Sequence, residues 1–457
     1  MIVSPIDYRY GRDEVKKIFS EEQRLKYMLE TEAAIAQAES EFNLIPREAF
    51  EEIRNAVDSG KVKPERVKEF ERETKHDVMA LVKALSEQAG AGGSYVHFGV
   101  TSNDILDTAT ALQIRDFFPI LLNDMQGLQD ALSKLVERYR DTPMIGRTHG
   151  QHASPITFGL KMAVYLSEVN RHMMRLAECR KRILVGKVLG PVGTGASLGE
   201  AALEVQDRVM EILGIRPESA ASQIVNRDRY VEFLSVIAGI STSLEKFATE
   251  VRNLQRPEIG EVQEYFDVTS QVGSSAMPSK MNPIISENVT SIARLIRSFV
   301  SPEQEAAVTW HERDLTNSAL ERFVIPYSCI LIDYILTRFT DVMNHLIVRP
   351  EVMKENLLKD DYVMSERIVT ELSRRGFGRQ ESHEFVRKAA MDGYAAGISL
   401  RESMIRNGIL KKIGEEDLED IMNPREFIGQ APRICDKVIE ESKRVKLSIY
   451  GDDFGGL

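Results

Sequence analysis

Residues Asp228 to Gln255 read DRYVEFLSVIAGISTSLEKFATEVRNLQ. Tyr230, Ile237, Leu244 and Val251 recur every seven residues, and Phe233, Ile240, Phe247 and Leu254 repeat that spacing three positions later. Two interleaved apolar rows of this period make a continuous stripe on one helix face, the seam by which helices pack nearly parallel in a bundle. Such a helix extends ~40 Å at 1.5 Å per residue, more than one compact domain needs. The spacing therefore predicts a long-helix bundle, with bundling against helices of other subunits as the natural use of the length.

Helical patterns continue on both sides of this segment. They cover about 103–139 with a kink at Pro119, 156–185, 284–300, and about 315–347. Towards the N-terminus, Ser20-x-x-Gln23 is a capping box ahead of Leu25, Met28, Leu29, Ile35 and Ala36. Pro46 opens a further helix that Gly60 closes, and Thr74 caps a third that runs to Gly90. Beyond Arg349-Pro350 the helices shorten, with turns at Gly376, Gly408 and Gly429. No alternating strand series is present, and only Val185 to Val192 suggests a short β-ribbon. The expected fold is all-α with three domains: residues 1–93, a long-helix bundle over 94–348 and a smaller helical domain over 349–457.

The chain has 457 residues, 43% of them hydrophobic, with a net charge of −11. Such a charge offers no global basic field for nucleic acid, although local cations can still hold a small anion. Cys179, Cys329 and Cys435 are too few and too scattered for a disulfide framework or a zinc site, and no His pair has the H-E-x-x-H spacing. Neither a metal nor a membrane is expected. Met1 to Tyr10 contains no apolar leader core, so the sequence predicts cytoplasmic residence.

The chemistry concentrates in a few polar segments. Gly273-Ser274-Ser275-Ala276-Met277-Pro278-Ser279-Lys280-Met281-Asn282-Pro283 places hydroxyls, a cation and an amide in a loop that feeds a helix. Asn282 reads as the N-cap and Pro283 as the first helical residue, which puts Lys280 beside free N–H groups that favour an anion. Arg9-Tyr10, Lys75-His76-Asp77 and Thr101-Ser102 present further polar or cationic groups, with Ser102 as a candidate N-cap. His149 lies in a Thr-His-Gly-Gln setting just before Ser154-Pro155, where a helix is expected to start, and suits general acid or base work because its ordinary pKa is ~6.5. His152 shares that loop as a supporting residue. Finally, Arg313, Ser318 and Arg322 offer two forked cations around a hydroxyl, while Glu312 and Glu321 read as a solvated face.

The run from Gly273 to Asn282 resembles the G-S-S-x-M-P-x-K-x-N signature of the fumarase/aspartase superfamily. Arg9-Tyr10, Lys75-His76-Asp77, Thr101-Ser102, Thr148-His149 and the Arg313/Ser318/Arg322 set are similar to the adenylosuccinate lyase family within it. The resemblance implies a helical homotetramer with active sites shared between subunits, acting on succinyl-nucleotides without a cofactor. It implies Ser274 as the base that takes the succinyl Cβ proton, and His149 as the acid for the departing nitrogen, supported by Glu287. Lys280 and Asn282 would hold the carboxylate. Arg9, Tyr10, Lys75, His76, Asp77, Thr101, Ser102, Gln223, Ser275, Asn288, Arg313, Ser318 and Arg322 would surround the rest of the substrate. Many relatives carry Arg where Lys75 stands, and Lys lacks the planar fork for a bidentate phosphate contact. Argininosuccinate lyase, another fumarate-releasing member, and a silent helical scaffold remain the alternatives at this point.

Overall fold

The computed structural model describes residues 3–267, 269 and 271–450. Met1 and Ile2 of the N-terminal stretch lie outside the described residues. The principal helices are α1 (Glu21–Glu41), α2 (Asp77–Gln88), α3 (Ser102–Arg138), α4 (Phe158–Ile183), α5 (Asp228–Leu254), α6 (Ile284–Ser298), α7 (Ser318–Asn344) and α8 (Ala431–Tyr450). Strands β1 (Pro143–Thr148) and β2 (Gln151–Thr157) form an antiparallel hairpin, and β3 (Val262–Gln263) pairs with β4 (Ile347–Val348). The fold is all-α.

The seam of α5 is buried along its whole length, from Tyr230 to Leu254. Phe233 packs on Phe118 of α3, and Phe247 lies between Tyr165 of α4 and Phe339 of α7, so one helix ties three others together. Each fully buried large apolar side chain contributes about 2 kcal/mol of transfer free energy. This seam is used inside the chain, and on other faces Val164, Met174, Leu295 and Phe323 are exposed. Helix α8 returns from the C-terminal region to pack on α4 and α3 through Cys435, Val438 and Ile439. A second, smaller core joins Leu357, Val363, Ile368, Leu400 and Leu418, and Ile145 of β1 inserts into it.

Several local expectations are corrected. Ser154 and Pro155 do not start a helix: they lie in β2, with Pro155 opposite Ile145, and Thr157 caps α4 through its hydroxyl. A bulge at Gly146 allows this pairing, since a Cβ there would sit 2.6 Å from the Ser154 carbonyl oxygen. Thr74 ends the Pro64–Thr74 helix, and His76 caps α2 instead, its Nδ1 accepting from the Met79 N–H at 3.2 Å. Thr101 rather than Ser102 caps α3, because Asp104 reaches back to the Thr101 N–H at 2.8 Å. Pro283 is the N-cap of α6 and Asn282 precedes it. Of the suggested ribbon only Val185–Gly186 is a strand, paired in parallel with Arg216–Pro217.

Asp104 is fully buried and pairs with the equally buried Lys187, while accepting from the Leu189 and Gly190 N–H groups at 3.2 and 3.0 Å. The cluster fixes where α3 begins. Removing the cation leaves a buried carboxylate unmatched. Lys187→Met is therefore expected to lower stability by about 3–5 kcal/mol, seen as a drop in denaturation midpoint at unchanged denaturant slope.

Candidate active site

The polar segments gather at the two ends of the bundle. At the first end, where α3, α5 and α7 begin, His76 and Asp77 start α2 beside Thr101 and Ser102. His76 Nδ1 is occupied as an acceptor, so its Nε2 carries the proton that faces Ser102 Oγ at 3.4 Å. Arg322 donates to Asp77 at 2.9 Å, and Arg313 donates to the Gln223 side-chain oxygen at 3.1 Å. Arg313, Ser318 and Arg322 line one cleft. Lys75 is exposed beside it, in the left-handed region at φ 54°.

Beneath this surface lies a buried ion-pair network that the sequence reading missed. Arg227 donates to both oxygens of Asp107, at 2.7 and 2.9 Å, and to both oxygens of Glu321, at 2.8 and 3.1 Å. Glu321 is thus no solvated residue, as its side chain is only 13% exposed. No sequence spacing signals a pair formed across such a separation.

At the second end, His149 and Gly150 form the two-residue turn of the β1–β2 hairpin, both with positive φ, at 53° and 73°. That combination defines the turn class matching the twist of a tight hairpin. His149 is exposed, and among the described residues its side chain has no hydrogen-bond or ion-pair partner. Its flanks are fixed. Arg147 donates to both oxygens of the fully buried Glu261 at 2.9 and 2.7 Å, and His152 pairs with Asp360 at 2.5 Å. Ser154 bonds to Glu366.

The serine loop begins beside the same end, after α5 and β3. Glu264 takes the place expected for a bound anion: its carboxylate accepts from the Ile285 and Ser286 N–H groups at 2.9 Å each, and from the Ser286 hydroxyl at 2.8 Å. The N-terminus of α6 is therefore not free, which corrects the expectation drawn around Lys280. Ser274 has other donors. Its Oγ accepts from the backbone N–H groups of Ala276 at 3.3 Å and Met277 at 3.1 Å. Donors aimed at an oxygen would favour its charged form over its neutral one. Asn282 donates to the Gly273 carbonyl at 2.9 Å, closing the loop on its own neck. Ser275, Lys280 and Glu287 are exposed, and the Asn288 side-chain oxygen is buried without a partner among the described residues.

Arg9 and Tyr10 join neither end. Tyr10 packs edge-on against Tyr334, midway along α7, with Arg9 over its ring. The two ends are separated by the 27 residues of α5, ~40 Å. One chain thus carries two partial sites, a cationic cleft and a histidine–serine pole.

A bundle of long helices with a serine loop at one pole is the architecture of the helical lyases, and the chain's similarities bear this out. Residues 7–297 match the family described as Lyase, and residues 361–438 match Adenylosuccinate lyase C-terminus. A protein of Methanothermobacter thermautotrophicus called adenylosuccinate lyase is 48% identical, over 97% of this chain and 100% of its own length. One from Methanocaldococcus jannaschii with the same name is 46% identical, over 98% and 97%. Among solved structures, a fumarate lyase from Mesorhizobium sp. BNC1 superimposes with a TM-score of 0.87 at 32% identity, covering 94% of this chain and 98% of its own. The 3-carboxy-cis,cis-muconate lactonizing enzyme of Pseudomonas putida gives 0.87 at 30% identity, over 97% and 99%. The chain belongs to the adenylosuccinate lyase family of the fumarase/aspartase superfamily and is a carbon–nitrogen lyase.

Loop closure can be tested at Gly273, where a Cβ would stand 1.8 Å from the Lys280 carbonyl oxygen. Gly273→Ala is expected to force the neck open and misplace Ser274, lowering kcat about a hundredfold while the thermal midpoint changes little. Steady-state kinetics alongside thermal melting checks this, with proteolysis after Lys280 as the readout of an opened loop.

Proposed function

We propose that the chain releases fumarate from adenylosuccinate, giving AMP, and from the succinylaminoimidazole carboxamide ribotide, giving the carboxamide ribotide, as a cytoplasmic homotetramer with shared active sites. The membership of the family supports the reaction. The observation that carries the shared sites is the separation of the two partial sites by the length of α5, because no small substrate spans that distance within one chain. Antiparallel packing of further subunits brings the cationic cleft of one chain against the serine loop of a second and the histidine turn of another, so that Ser274 and His149 of one site come from different chains. We assign domains 1–93, 94–348 and 349–457 to this assembly, the central one supplying the common bundle.

In this reading Ser274 Oγ takes the proton from the succinyl Cβ, and the C–H electrons form the fumarate double bond as the carbon–nitrogen bond breaks. His149 of another subunit returns a proton to the departing nitrogen, with Glu287 in support. The Ala276 and Met277 N–H groups stabilise the charged Ser274, while Lys280 and Asn282 hold the carboxylate that gains charge in the intermediate. Arg9, Tyr10, Lys75, His76 and Asp77 surround the nucleotide end, joined by Thr101, Ser102, Gln223, Ser275, Asn288, Arg313, Ser318 and Arg322 around the substrate. One proton leaves carbon and one reaches nitrogen with no net change of oxidation state, so the balance requires no cofactor.

Ser274→Ala and His149→Ala are each expected to lower kcat by about a hundred- to ten-thousandfold without dissociating the oligomer. Mixed oligomers assembled from the two variants are expected to regain part of the turnover, because some sites then receive both native residues. Mixed oligomers that stay inactive would count against shared sites. Fumarate release from argininosuccinate but not from adenylosuccinate would overturn the substrate assignment.

A further inference from the structure

Arg24 projects from α1, one turn beyond the Ser20 cap, into the cleft lined by Arg227, Arg313, Ser318 and Arg322. Each of the other three guanidinium groups has a partner: Asp107 and Glu321 for Arg227, Gln223 for Arg313, and Asp77 for Arg322. The Arg24 side chain has neither a hydrogen bond nor an ion pair with any described residue. Its charged form is disfavoured first by burial and then by Arg322, with Asp77 offsetting only part of this. A second unmatched donor lines the same cleft. Asn103 is 2% exposed, and its side-chain Nδ2 is buried without a partner among the described residues.

The buried Asn103 Nδ2, which lacks an acceptor, and the Arg24 guanidinium, which has no partner among the described residues and is opposed by Arg322, both favour the arrival of an acceptor-rich group. The cleft holds an excess of cations, so that group is an anion. On the proposed reaction the succinyl carboxylate is held at the opposite pole by Lys280 and Asn282. The second succinyl carboxylate lies within two bonds of the reacting carbons and stays at that pole, so the anion that reaches this cleft is the phosphate monoester at the far end of the nucleotide, which carries up to about two charges and three acceptor oxygens. A forked guanidinium matches two of those oxygens at once.

We propose that Arg24 is a further substrate-binding residue, gripping the nucleotide phosphate and selecting phosphorylated substrates over their nucleosides. The inference rests on the proposed function, and the experiment separates the two. Fumarate release is measured for the native oligomer, Arg24→Met and Arg24→Lys, each with adenylosuccinate and with its 5′-dephosphorylated nucleoside. Arg24→Met is expected to reduce kcat/KM for adenylosuccinate about ten- to a hundredfold, mainly through KM, while leaving kcat/KM for the nucleoside unchanged. Arg24→Lys, which keeps the charge but loses the fork, is expected to show a smaller loss with the same selectivity. Should Arg24→Met fail to assemble, Arg24→Lys carries the test alone: a loss confined to the phosphorylated substrate supports the assignment. An equal loss on both substrates, or none on either, overturns it. A native protein that releases no fumarate from adenylosuccinate would instead sink the functional reading.

Discussion

The apolar seam of α5 is buried from end to end against α3, α4 and α7, and this dictates where polar chemistry can be placed. A charged group in the middle of such a core must be matched internally, as fully buried Asp333 is by Arg12. Unmatched groups that await a ligand are tolerated only where the helices start or stop. The bundle therefore concentrates its cations at one pole and its histidine turn and serine loop at the other. The length of the helices, rather than any single contact, keeps the two poles apart within one chain. The same length supplies exposed apolar side chains such as Val164 and Phe323 on the flanks, where a second copy can pack.

The serine loop shows how a local rule can be right in general and redirected in detail. A helix N-terminus does attract an anion, and α6 has one, but the anion is the chain's own Glu264. This internal carboxylate anchors the base of the loop to β3, while the Ser274 hydroxyl oxygen accepts from the amides of Ala276 and Met277. The advantage is mechanical. A loop tied at its neck by Gly273, Asn282 and Glu264 can move as a unit over a ligand while the Ser274 turn keeps its own hydrogen bonds.

The elements legible in the sequence were those governed by short-range periodicity. The heptad seam gave α5 to within one residue, and the long patterns around it gave α3, α6 and α7. The hairpin escaped because Ser154-Pro155 imitates a helix start, and Thr-His-Gly-Gln is a weaker turn signal than Asn-Gly. Gly146 and Gly150 flanking His149 were the available clue. The motif residues of the cleft could be picked out as polar segments at helix starts. Arg24, Arg227–Asp107, Arg147–Glu261 and Glu264 could not, because each acquires its meaning from a partner or a recess far away in the chain. Long-range electrostatics leaves no periodic trace.

The hairpin also explains why two structural bodies are needed to present one imidazole. A histidine in the left-handed region is uncommon and persists where its surroundings over-determine it. Here β1 is held by the Arg147–Glu261 ion pair and by Ile145 in the second core, whereas β2 is held by His152–Asp360 and Ser154–Glu366. The desolvation of Glu261 offsets much of the Coulombic gain from its pair, so that contact contributes little net stability. What it contributes is direction, since Glu261 lies one residue before β3 and three before Glu264. The strand that carries His149 and the anchor of the serine loop are thus fixed to the same short segment. Displacement of that segment would shift the histidine turn of a chain and its serine loop together, which ties the geometry of every site sharing either element to the packing of 261–264.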